Sequence, residues 1–130
     1  MSWGDGGRAK VLIVDDETGI TTMLAERLEH AGYIPLVAND ATRALALVRS
    51  RAPDVILTDH YMPNVDGATL IQMLRDEGCQ TPVILMSAGI EGEVAALRAQ
   101  ATAYLEKPFQ MNRAIEAIEQ ALGGAADDGA

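Results

Sequence analysis

"VILTDHYMP", residues 55–63, is the stretch on which the fold turns. Val55, Ile56 and Leu57 are three large aliphatics in a row, as expected of a strand covered on both faces. The run stops at Asp59, and Asp-His-Tyr-Met-Pro cannot continue as a regular central strand, since proline donates nothing to a ladder. A core strand is thus expected to deliver an aspartate to its own carboxyl end. Three roles suit such a residue: a turn-former, a helix cap, or a reactive group held on a rigid support.

The same pattern recurs on either side. "KVLIV" (10–14) is another short apolar run, ending in Asp15-Asp16, and "PVILMSA" (82–88) is a third. "YIPLVA" (33–38) contains Pro35 and is expected at a sheet edge, while "AYLEK" (103–107) closes the series. Helical periodicity fills the intervals. In 18–32 the residues Ile20, Met23, Leu24, Arg27 and Leu28 recur at helical spacing, with Thr18 as N-cap and Gly32 as stop. Asp40 caps a helix over 41–51 with Ala44, Leu45 and Val48 inward, and Asp66-Gly67 opens one over 67–77 with Leu70, Ile71 and Leu74 on a face. A short Ala-rich helix is expected over 91–101, and a last one over 111–122 with Met111, Ile115, Ile118 and Leu122 on one stripe.

Strict alternation of strand and helix predicts an α/β fold with helices on both faces of a parallel sheet. With the proline strand at an edge, the strands take the order 2-1-3-4-5, a flavodoxin-like doubly wound five-stranded parallel sheet with five helices. The chain of 130 residues suits one domain, expected over 9–122. Residues 1–8 are expected to be a flexible leader and 123–130 a flexible tail or linker stub.

Composition narrows the function. A formal net charge of −9 argues against nucleic acid as a direct partner, because phosphate binding needs basic clusters. Cys79 is the one cysteine, so no internal disulfide can form. No apolar run approaches the roughly 18 residues of a membrane span, and "MSWGDGGRAK" has no apolar signal-peptide core. No membrane partner and a cytoplasmic location are the resulting expectations.

In doubly wound sheets the site forms outside the carboxyl ends of the strands. Here those ends carry Asp15 and Asp16, Asp59, Ser87 and Lys107. Carboxylates brought close together raise one another's pKa unless a cation neutralises them. The donors are all oxygens, which selects a hard cation, and few carboxylates with open positions suit Mg²⁺. A metal and a lysine facing an aspartate can clamp a phosphoryl group and spread the charge of its transfer. Asp59 would be the nucleophile and Ser87 could bond a phosphoryl oxygen. Taken singly, each aspartate also reads as a cap or turn residue, Lys107 as a surface charge and Ser87 as a turn hydroxyl.

At "VLIVDDE" (11–17), "DVILTDHYMPNVDG" (54–67), "VILMSA" (83–88) and "AYLEKPF" (103–109) the chain resembles the receiver domain of two-component response regulators, of the chemotaxis-type single-domain form. Chemotaxis-type receivers share the 2-1-3-4-5 order, so order and resemblance are not independent. The resemblance implies Asp59 as phosphoacceptor. It implies Asp16 as a direct Mg²⁺ ligand, Asp15 as a direct or water-mediated one, and the backbone carbonyl of Tyr61 as a further ligand beside Asp59. Lys107 would contact the phosphoryl group, with Lys107-Pro108 often cis. Ser87 and Tyr104 would form a switch pair, changing the face of the fourth helix, fifth strand and fifth helix. The phosphoryl donor would be a phosphohistidine of a sensor histidine kinase or histidine phosphotransfer protein, and the output a downstream protein target. Such a module is a phosphoacceptor switch rather than an enzyme.

Gln100 stands where the family often has Gly. Tyr61 and Gly89 flank the approach of water and are expected to affect the lifetime of a phosphate, while His60 is expected to pack or face the surface. Two alternatives are set against the switch: a phosphorylation-independent pseudo-receiver, disfavoured by the intact set of five polar residues, and an aspartyl-phosphate hydrolase, disfavoured because "VDDE" has adjacent aspartates where that class has D-x-D.

Overall fold

A computed structural model describes residues 7–126 of the chain. Five strands, β1 (Lys10–Val14), β2 (Ile34–Ala38), β3 (Val55–Asp59), β4 (Val83–Ser87) and β5 (Ala103–Glu106), alternate with five helices. These are α1 (Thr18–His30), α2 (Ala41–Arg51), α3 (Gly67–Asp76), α4 (Ile90–Ala99) and α5 (Met111–Ala126). The sheet is parallel throughout and its order is β2-β1-β3-β4-β5, as the sequence predicts. Pro35 lies on β2 at the edge.

The strands alternate their side chains between two cores, the period-two signature of a sheet covered on both sides. Leu12, Val14, Ile56 and Leu85 face α2, α3 and α4, packing with Ala44, Leu70, Ile71 and Ala96. Val11, Ile13, Leu57, Ile84 and Met86 face α1 and α5, packing with Leu24, Leu28, Ala114 and Ile118. All five residues of β3 are buried. Burying a Leu or Ile side chain contributes about 1.5–3 kcal/mol, so the strand that carries Asp59 is among the firmest parts of the molecule.

Local expectations needed four corrections. Thr18 is the first residue of α1 rather than its cap; Glu17 is the N-cap and makes no side-chain bond to the helix. Met23 is 42% exposed, because it borders a groove beside Lys107 instead of facing the core, and buried Thr21 takes the inward place. In α2 the deeply buried residues are Ala41, Ala44 and Leu47, while Leu45 and Val48 pack at the core's margin. α5 runs on to Ala126, four residues past its expected end, and residues 1–6 and 127–130 of the expected leader and tail lie outside the described residues. Asp40 and Asp66 cap their helices as expected, accepting from the Arg43 and Thr69 N–H groups at 2.8 Å each. Among the described residues no helix is long and apolar enough to cross a membrane.

Candidate functional site

The register of the sheet places Val14 of β1 beside Thr58 of β3, so that Asp15 and Asp59 leave neighbouring strands at the same level. On the other side Asp59 pairs with Met86, one residue before Ser87. Lys107 follows β5, its N–H donating to the Ser87 carbonyl at 2.8 Å. The Lys107-Pro108 peptide bond is cis.

Asp15, Asp16 and Asp59 each present a carboxylate oxygen within 4.8 Å of the others. Asp15 and Asp59 are buried and Asp16 is exposed. Lys107 Nζ donates to Asp59 Oδ1 at 2.8 Å and lies 3.6 Å from Asp15 Oδ2. Asp15 Oδ1 accepts the Glu17 N–H at 3.0 Å, whereas its buried Oδ2 has no hydrogen-bond partner. Burial raises the Asp15 pKa, and repulsion from Asp59 and Asp16 adds to it; together these outweigh the Glu17 N–H and the Lys107 charge. For Lys107, burial works against the charged form, but the bond and charge of Asp59 and the charge of Asp15 outweigh it and raise the pKa.

The loop after β3 is drawn back over the end of that strand. The His60 N–H donates to the Met86 carbonyl at 2.9 Å, and the Gly67 N–H to the His60 carbonyl at 2.8 Å. A Cβ on Gly67 would overlap the Asp59 carbonyl oxygen and stand 2.7 Å from Leu85 Cδ1 and 2.9 Å from His60 Cα. Only glycine permits this approach, so the start of α3 presses directly on the backbone that presents Asp59. His60 is buried and packs edge-on against Tyr61, with Nδ1 3.4 Å from the Ala68 N–H. It is a packing residue, as expected. Tyr61 lies two residues past Asp59 and is 55% exposed.

Ser87 and Tyr104 meet each other but not the carboxylates. The Ser87 hydroxyl, buried, donates to the Ala88 carbonyl at 3.3 Å and faces α4. The Tyr104 hydroxyl is shared between the carbonyls of Ser87 at 2.9 Å and Gly89 at 3.0 Å. The ring thus already reaches over the end of β4. Sequence reasoning missed Gly67 and Gly92 as close-approach positions: glycine at a helix start or inside a helix carries no mark of what will stand opposite it.

An arrangement of three carboxylates, one ammonium and one orphaned buried oxygen is suited to hold a hard cation and to receive a small anion beside it. Known proteins resemble this chain at the level of the whole domain. The family model described as the response regulator receiver domain matches residues 11–119. The nitrogen assimilation regulatory protein NtrX of Azorhizobium caulinodans is 37% identical over 116 residues, which cover 86% of this chain and 26% of that protein. The probable transcriptional regulatory protein TcrX of Mycobacterium tuberculosis is 32% identical over 88% of this chain and 50% of its own length. The chain therefore spans a quarter to a half of these relatives. Among solved structures, the receiver domain of the Francisella response regulator 1452 superposes with a TM-score of 0.85 at 32% identity, covering 91% of this chain and 99% of that one. The Vibrio cholerae chemotaxis protein CheY4 does so with 0.82 at 30%, over 88% and 99%.

Proposed function

The chain belongs to the response regulator receiver domains, and from that premise we propose that it is a phosphorylation-controlled switch whose acceptor is Asp59. The observation that carries this is the meeting of Asp15, Asp16 and Asp59 within 4.8 Å of one another, with Lys107 Nζ 2.8 Å from Asp59.

Asp59 attacks the phosphorus of a phosphohistidine. A P–O bond forms, the P–N bond breaks, and the imidazole nitrogen leaves with its electron pair, giving an aspartyl phosphate. Lys107 is held where it can follow the charge that moves onto the phosphoryl oxygens. The burial of Asp59 fixes the direction of attack, since β3 cannot yield without disturbing both cores. The donor set fits Mg²⁺: all-oxygen ligands, and a buried Asp15 Oδ2 that lacks a hydrogen-bond partner among the described residues. Asp15, directly or through water, Asp16, Asp59 and the Tyr61 carbonyl would hold it. When bound, the metal would neutralise the carboxylates and polarise the phosphoryl oxygens.

The donor is a sensor histidine kinase or a histidine phosphotransfer protein. A groove of about 460 Å³ lined by Ile20, Met23, Leu24, Pro108 and Phe109 opens beside Lys107, and supports the approach of such a partner next to the acceptor. Output runs to a downstream protein target through the face of α4, β5 and α5. In its favour, Ile90, Val94 and Leu97 of α4 are 75%, 40% and 79% exposed, an apolar stripe of the kind that marks a protein contact. A net charge of −9 argues against direct binding to nucleic acid.

The test is incubation with acetyl phosphate and Mg²⁺ followed by intact-mass measurement. The expected result is a gain of one phosphoryl group, abolished by Asp59→Asn. Absence of an adduct, with transfer from histidine kinases also absent, overturns the assignment.

A further inference from the structure

Two glycines at the amino end of α4 stand against Ser87 and Tyr104. Gly89, the N-cap, has φ 85 and ψ 166, a region essentially reserved for glycine. That backbone sets the carbonyl that accepts the Tyr104 hydroxyl at 3.0 Å. Gly92 is buried, and a Cβ there would overlap both Cβ and Oγ of Ser87 and come within 3.4 Å of Tyr104 Cε1. Rotating the serine could move its Oγ aside but not its Cβ. A side chain at 92 could therefore be accommodated only by lifting the first turn of α4 from the end of β4.

The helix thus rests on Ser87 itself. The hydroxyl beneath it is 99% hidden with its residue, at 1% exposure, and its single bond is a long one of 3.3 Å to the adjacent carbonyl. Contact with Gly92, more than hydrogen bonding, defines where that oxygen sits.

We propose that Gly92 is a positioning residue for the switch: by seating α4 on Ser87, it makes the position of the helix depend on which way that hydroxyl points. This rests on reading Ser87 as the hydroxyl that bonds a phosphoryl oxygen on Asp59. While the hydroxyl faces Gly92, it fills the space under the helix. Turned toward Asp59, it leaves that space empty, and close-packed interiors do not keep such gaps without loss of contact energy. The first turn of α4 settles, and with it the Gly89 carbonyl and the Tyr104 ring bonded to it. Ile90 and Val94 on the same turn and the next carry the shift to the exposed stripe. A side chain at 92 holds the helix off the serine in both orientations, so the helix no longer senses the hydroxyl.

Amide NMR shifts of the full chain with Mg²⁺, before and after addition of beryllofluoride as a phosphoryl mimic, test this. In the wild type, residues 60–62 beside the acceptor and residues 90–93 of α4 are both expected to shift. In Gly92→Ala the response at 60–62 is expected to persist while the response at 90–93 is lost. Glycine with a merely structural role would lower stability but leave that second response intact, and this result overturns the proposal. Tyr104→Phe removes the hydrogen bond shared between the Ser87 and Gly89 carbonyls but leaves the contact of Gly92 with Ser87, and is expected to keep the α4 response. Its loss there would assign the coupling to the tyrosine hydroxyl and overturn the proposal even if Gly92→Ala failed to fold. A wild-type chain with no response at 60–62 refutes instead the reading of Asp59 as acceptor, and the inference with it.

Discussion

The ammonium of Lys107 stands 2.8 Å from Oδ1 of Asp59, although 48 positions of chain separate the two. The Lys107 side chain is 27% exposed and that of Asp59 7%, so this is a partly buried pair rather than a surface one. Lys107→Met leaves the carboxylates of Asp15 and Asp59 facing each other without a cation. Stranding a buried charge costs about 3–5 kcal/mol, and the partial exposure of Lys107 brings the expected loss to about 1–3 kcal/mol. Urea unfolding in the presence of EDTA measures it, and an unchanged midpoint would contradict the pairing.

Asp15→Asn is expected to act in the opposite direction. The carboxyl is raised above its ordinary 3.8 chiefly by burial, so its charged form is a net cost to the metal-free fold. A neutral amide should raise the melting temperature in EDTA. Mg²⁺ should raise the melting temperature of the wild type, since a ligand that binds only the folded state stabilises it, and this rise should be lost in the variant. Thermal melts with and without Mg²⁺ decide both points. A variant that melts lower than the wild type in EDTA would show that the orphaned Asp15 oxygen is not a burden.

Gly67→Ala is expected to cost about 1–3 kcal/mol, the usual penalty for forcing a methyl into a filled space. The obstacle is backbone, the Asp59 carbonyl and the His60 Cα, which cannot rotate away. The acceptor loop must shift, and phosphorylation by acetyl phosphate should slow together with the fall in stability. A stable variant that is phosphorylated at the wild-type rate would refute the close approach.

Asp66 supplies the pH dependence. Burial would raise its pKa, but bonds from the Thr69 N–H and hydroxyl, with the nearby His60, hold it below the ordinary 3.8. A carboxyl lowered in the folded state stabilises the fold above 3.8, and that contribution is lost as the pH falls through the folded value. Asp66→Ala should cost about 1 kcal/mol at neutral pH, the typical worth of an N-cap. The gap between the two melting temperatures should narrow below pH 3.8. A constant gap would mean that the cap works without its charge.

The sheet was legible because each strand carried its own label. Pro35 could sit only at an edge, and the aliphatic runs of β1, β3 and β4 could only be central. Once parallel register is granted, Asp15 and Asp59 must leave the sheet side by side, so the carboxylate cluster was legible too. The helices were less so. Met23 fits the period of α1 whether it faces core or groove, and only the neighbouring Phe109 and Pro108 decide between them. Gln100 stands at φ 66 in the left-handed region, where the sequence shows a residue that resists it. Gly92 reads as a flaw in a helix of weak propensity, and its meaning lies in Ser87, five residues earlier on another element.

Asp15, Asp59, Ser87 and Lys107 stand at the carboxyl ends of four different strands, and Lys107 meets Asp59 and Asp15 only across long stretches of chain. Parallel pairings of this kind are long-range and form late, because each requires a crossover to close first. Until β5 docks beside β4, Asp59 has no ammonium opposite it. If Asp59 is the acceptor proposed above, a chain in which β5 has not yet paired with β4 would lack the ammonium opposite Asp59 and would compete poorly with finished molecules for phosphoryl groups.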